Sequence, residues 1–168
     1  VDPVVFSEMQ YERPDVDALC AALEQTGTDA ADKSSDDVLE SYIAAYDRYI
    51  HFNTMSNLVY IHYTLDLNDE YYNTEYLWCE EQTPLVEKAL EDCYRAMAAS
   101  PIRSELESDY FGEGFFLGYD GDGIYSNPKV VELMQQEADL QAQYMALTSD
   151  MTVTYAVSYT HLDAADDR

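Results

Sequence analysis

Metal and acid–base chemistry would begin with histidine, and the chain has three: His51, His62 and His161. His51 and His62 are eleven residues apart. On one helix they are nearly in phase but roughly 16 Å apart along the axis. Zinc–nitrogen bonds are about 2.0–2.1 Å, so the pair cannot share one ion. The residues three before the histidines are Arg48, Val59 and Ser158, so the Glu-x-x-His of carboxylate-bridged bundles is absent. No H-E-x-x-H occurs either. The simpler reading makes all three surface or hydrogen-bonded histidines. No catalytic, cofactor-binding or metal-ligating residue is assigned to the chain.

Asp120-Gly121-Asp122-Gly123 invites a calcium reading, but an EF-hand loop needs an oxygen ligand fifth, glycine sixth and a carboxylate twelfth. Those places hold Ile124, Tyr125 and Val131, so a tight acidic turn is the better description. Gly112 to Gly123, with Phe111, Phe115, Phe116 and Tyr119, is either a mobile loop that touches a substrate or partner, or a plug on a bundle end. The plug is favoured. The loop lacks the Gly-Lys of a phosphate cradle. Sixteen tyrosines are an excess. Five of them, Tyr42, Tyr46, Tyr49, Tyr60 and Tyr63, are expected on one helix as amphipathic residues at the core rim. Three cysteines in no metal or redox pattern read as small apolar residues. Their odd number suggests reduced thiols in a cytoplasmic protein. Cys79 and Cys93, roughly 21 Å apart on one helix, cannot bridge.

The elements that would position these groups are helices. Pro14 suits a first turn, and Val16, Leu19, Cys20 and Leu23 make one apolar stripe ending before Gly27. Gly27 to Ser34 reads as a polar loop, with Ser35 as the next N-cap and Asp36 and Asp37 at the positive end of the dipole. Leu39, Tyr42, Ile43, Tyr46, Ile50, Leu58, Ile61 and Leu65 keep helical spacing, with a stop near Asp66–Asn68 and Asn68 or Asp69 as a cap. Tyr72, Tyr76, Cys79, Thr83, Val86, Leu90, Cys93 and Met97 then alternate steps of four and three, a 3.5-residue seam. Pro84 should kink this helix without splitting it, because the seam stays in phase. The two long segments predict an antiparallel hairpin. Ser100 and Pro101 should open a short helix running to about Asp109. Asn127-Pro128 should begin a last one, with Val130, Leu133, Met134, Leu140, Tyr144 and Leu147 buried. Met151 to Ala156 reads as the start of a strand. The fold class expected is therefore all-α, with a possible strand start near the C-terminus.

The chain has 168 residues, 34 acidic and 8 basic, for a formal charge of −26. Such a charge argues against nucleic acid and anionic membrane partners, which need clustered Lys and Arg. A hydrophobic share of 47% still allows a packed core. No apolar run is long enough to span a bilayer. No basic, then apolar, leader is visible at the N-terminus. The missing initiator Met suggests that residues are absent upstream.

The order of these features resembles one family. Phe6-Ser7-Glu8-Met9-Gln10-Tyr11-Glu12-Arg13-Pro14-Asp15 resembles the opening of oligoendopeptidases of the thimet oligopeptidase and oligoendopeptidase F type. Phe52-Asn53-Thr54-Met55-Ser56-Asn57-Leu58 resembles the middle of that family's first long helix. His62-Tyr63-Thr64-Leu65-Asp66 and Asn68-Asp69-Glu70-Tyr71-Tyr72 resemble the turn into its second. Ser100-Pro101-Ile102-Arg103-Ser104-Glu105-Leu106-Glu107, the aromatic run from Phe111 to Phe116 and the helix after Asn127-Pro128 continue in order. The resemblance runs from about Phe6 to Ala156. It implies a zinc metallopeptidase that cuts short peptides in a helix-walled channel, with zinc held by an H-E-x-x-H helix and a further glutamate. That helix is not in this chain, so the resemblance implies an N-terminal fragment whose catalytic half is missing. Such a fragment is expected to bind no zinc and to be inactive by itself.

Residues 157–168, beginning Val157-Ser158-Tyr159-Thr160-His161-Leu162, resemble translated sequencing-adapter DNA and are expected to be a non-native tail on a region spanning 1–156. The alternative function is a free-standing acidic helical bundle that binds a protein or peptide. The fragment reading expects apolar surface left bare where a catalytic half packs; the free-standing bundle expects none.

Overall fold

The structure is a computed structural model that describes residues 8–120 and 128–149. Within them the chain is all helical: α1 (Val16–Asp29), α2 (Ser35–Leu65), α3 (Glu70–Ala98), α4 (Arg103–Leu106), a π-helical turn (Glu107–Phe111), a 3-10 turn (Phe115–Tyr119) and α5 (Pro128–Ser149). The strand expected from Met151 and the tail after Ala156 lie outside the described residues, as does His161.

Side chains set the helix starts. Asp15 caps α1 by accepting from the Ala18 amide at 2.9 Å, which leaves Pro14 buried just before the helix instead of in its first turn. Ser34, one residue earlier than expected, caps α2 by accepting from the Asp37 amide. Asp69 caps α3 through the Tyr71 and Tyr72 amides. Each cap satisfies amides that the first helical turn cannot pair internally.

Helices α2 and α3 form the antiparallel hairpin. Paired contacts step along it from Tyr42 with Tyr94, through Tyr49 with Glu87, to Tyr63 with Tyr76. The seam of α3 faces inward: Tyr76, Cys79, Val86, Leu90, Cys93 and Met97 are all buried. Pro84 lies inside a single continuous helix and is itself buried. On α2 the inward face is Val38, Tyr42, Ala45, Phe52, Met55, Leu58, Val59 and Tyr63. Ile43, Ile50 and Leu65, read above as part of the stripe, are exposed. The apolar period of α2 fits two faces, and the packing chose the one rich in aromatics and small residues. The tyrosines divide accordingly. Tyr42 and Tyr63 are core residues, whereas Tyr60 is 44% exposed.

Helix α1 lies against both α2 and α3, completing a core of Val16, Leu19, Leu23, Val38, Ala45, Val86, Leu90 and Met97. It does not stop at Gly27 but runs on to Asp29. A Cβ at Gly27 would stand 3.1 Å from the Ala96 Cβ, so the glycine permits close approach of α1 to α3 and is not a helix stop. Ser100 likewise caps nothing downstream. Its hydroxyl donates back to the Met97 carbonyl at 2.7 Å and closes α3, so the next helix starts only at Arg103 without a side-chain cap.

Helix α5 departs most from the sequence reading. It packs on α3 through Ala142 and Met145, while Leu133, Leu140, Tyr144 and Leu147 are 51%, 65%, 66% and 68% exposed. Those four were expected to be buried. Each leucine left in water forgoes about 1.5–3 kcal/mol of burial.

Substituting Gly27→Val should push α1 off α3 and cost about 1–3 kcal/mol, the usual penalty of overpacking. Urea denaturation followed by circular dichroism checks this, with an unchanged midpoint showing that the close approach is not required.

Candidate functional site

Of the two buried carboxylates among the described residues, the one with more hydrogen bonds sits where the segment before α1 crosses α3. Glu75 is only 6% exposed. Its Oε2 accepts from the Tyr11 hydroxyl at 2.7 Å and from Arg13 Nε at 2.8 Å, and its Oε1 accepts from Arg13 Nη2. The Arg13 guanidinium also lies over the Trp78 ring, 4.7 Å from its centroid. The Arg13 hydrogen bonds, seconded by Tyr11, hold the Glu75 carboxyl below its ordinary range against the opposing effect of burial. Burial, then the Glu75 hydrogen bond, raises the Tyr11 phenol. A carboxylate so occupied is a weak base, with three of its lone pairs already engaged. It anchors the N-terminal segment. The sequence carried one sign of it: Glu75 stands three residues after Tyr72 and next to Tyr76, an acid on the buried side of the seam.

At the other end of the hairpin an aromatic cluster closes the core. The Tyr42 and Tyr94 hydroxyls are 2.7 Å apart and buried. Tyr42 stacks on Tyr46, while Phe111 packs edge-on to Tyr42 and Tyr119 tilts against Tyr94. Phe116 is fully buried, and its amide donates to Glu107 Oε1 at 3.1 Å. Gly112 and Gly114 make the turns with φ of 97° and 79°, a region that disfavours side chains. Asp120 accepts from Arg103 at 2.7 and 3.1 Å. Within the described residues, therefore, the loop is a plug, and Asp120 belongs to an ion pair that holds it. Gly121, Asp122 and Gly123 lie outside them. Burial pushes the Tyr42 phenol up to about 12.

The remaining candidates do not converge. His51 and His62 both lie on α2, the first exposed and the second stacked on Tyr72 with centroids 4.3 Å apart. Among the described residues no three His, Cys, Asp or Glu side chains are arranged to hold a metal ion. These side chains therefore offer zinc no ligand set. All three cysteines are free. Burial pushes Cys93 up to about 12 and raises Cys20 and Cys79, which favours the protonated thiols at neutral pH. Two of the open grooves flank α3. One of about 580 Å³ runs between α1 and α3 past Gly27, Lys88 and Asp92. The other, about 470 Å³, lies between α3 and α5 and is acidic, with Glu80, Glu81, Glu132 and Asp139. No described helix is long and apolar enough to cross a membrane.

A capped first helix, a long hairpin and an aromatic plug make up the described helical region. The family model for the Peptidase M3 N-terminal domain matches residues 6–120, and the chain belongs to that family. Among solved structures it is similar to PZ peptidase A with inhibitor 2, at 32% identity and a TM-score of 0.70, over 83% of this chain and 25% of that one. It is also similar to a structure of an oligoendopeptidase F, at 32% identity and a TM-score of 0.68, over 84% of this chain and 25% of that one. The chain thus spans about a quarter of the length of these solved relatives. No curated protein matches it.

Two outcomes follow from this geometry. Glu75→Gln should cost about 1–3 kcal/mol at pH 7, the range for a hydrogen bond to a charged group, since the half-exposed Arg13 is partly screened. The folded pKa of Glu75 lies below its unfolded value of about 4.3. Its stabilisation is complete above that value and is lost as pH falls through the folded one, so the variant should show a flatter acid limb in stability against pH. Tyr42→Phe and Tyr94→Phe should each cost about 1 kcal/mol or more by orphaning a buried hydroxyl, and the double variant should cost less than their sum. A double-mutant cycle in urea measures that coupling, and strict additivity would show the hydroxyls to be independent.

Proposed function

We propose that this chain is the N-terminal helical region of a zinc-dependent oligoendopeptidase working in the cytoplasm, with residues 157–168 standing outside that region. Its part in the enzyme is to form one wall of the channel, so that only short, unfolded peptides reach the catalytic centre. Cleavage by zinc-activated water, with a glutamate as general base, belongs to the rest of the enzyme. One observation carries this reading. More than four-fifths of the chain superposes on only a quarter of two peptidases, and this sequence contains no H-E-x-x-H. The acidic surface fits a channel entrance that gathers cationic peptides.

The purified chain should leave a quenched fluorescent peptide uncut and carry no stoichiometric zinc. Grafted in place of the matching quarter of PZ peptidase A, it should support metal-dependent cleavage. Tightly bound zinc at one per chain, or metal-dependent cleavage by the chain alone, overturns the proposal.

A further inference from the structure

Helix α5 has its large apolar residues on the wrong side for a helix that only packs on α3. At about 100° per residue, Leu133, Leu140, Tyr144 and Leu147 fall within roughly 60° of one another. Ala142, on the opposite face, is the buried one. Leu133, Leu140 and Leu147 are spaced by sevens, a stripe that runs the length of the helix. Glu132, Gln136, Glu137 and Gln143 rim it with exposed polar side chains. An apolar stripe with a polar rim is the form of an interface between packed surfaces.

We infer that this stripe is the seat of the polypeptide that follows the N-terminal quarter in a peptidase of this family. The inference rests on the function proposed above and names the contact through which this region joins the rest. Two observations choose that occupant. The solved relatives are about four times as long as the stretch they share with this chain. The superposition covers 83% of 168 residues, more than the 120 up to the end of the family match, so it reaches past that match towards α5.

The test uses the chain and its graft onto the remaining three quarters of PZ peptidase A. In the isolated chain, an apolar dye should bind to a sedimenting monomer, and L133E/L140E/L147E should abolish that binding while keeping the helicity. In the graft, dye binding should vanish and α5 amides should exchange at least about tenfold more slowly. There the triple variant should lower Tm, whereas I43E/I50E on the exposed face of α2 should not. A concentration-dependent dimer that the triple variant dissolves overturns the inference by giving the stripe to a second copy. An active graft that the triple variant leaves untouched also overturns it, and the function proposed above survives. A graft with protected α5 but no peptidase activity supports the stripe and counts against that function instead.

Discussion

The inward packing of α3's 3.5-residue seam against α2 governs the placement of everything else. A helix pair of this length has many near-equivalent registers, and apolar side chains alone discriminate weakly among them. Here directional contacts at both ends remove the ambiguity. The Tyr42 and Tyr94 hydroxyls meet at one end, and Tyr63 stacks on Tyr76 with centroids 4.3 Å apart at the other. With that register fixed, Gly27 falls opposite Ala96, Phe116 finds its cavity under the hairpin end, and Glu75 comes within reach of Tyr11 and Arg13.

Electrostatics shape the outside more than the inside. A formal charge of −26 repels itself, yet only two acidic residues, Asp29 and Glu75, are buried among the described ones. Each has a cation and a neutral donor: Lys33 and Gln25 for Asp29, Arg13 and Tyr11 for Glu75. Two of the eight basic residues, Arg13 and Lys33, thus stand where a carboxylate has lost its water. Most of the other described acids are exposed, where salt screens their mutual repulsion.

Much of the fold was legible because period and caps are local signals. The seam from Tyr72 to Met97, the turn near Asp66, the Asp69 cap and the Pro128 start needed no knowledge of neighbours. What failed depended on neighbours. Gly27 has the composition of a helix stop, yet its purpose is set by Ala96 on another helix. Ile43 and Ile50 fit the period of α2 as well as Phe52 and Met55 do, and only packing decides between them. The leucines of α5 obey every rule for a buried face and still point outward, because the rule says that a face will be covered and not by what. The Glu75 anchor was least visible, since its partners lie more than sixty residues away in sequence.

Trp78 is the sole tryptophan, and it is partly buried against both halves of the core, under the Arg13 guanidinium. Its indole therefore senses the N-terminal strap where the two core clusters meet. Emission from this one fluorophore is a built-in optical gauge of whether the strap is seated, readable without any label.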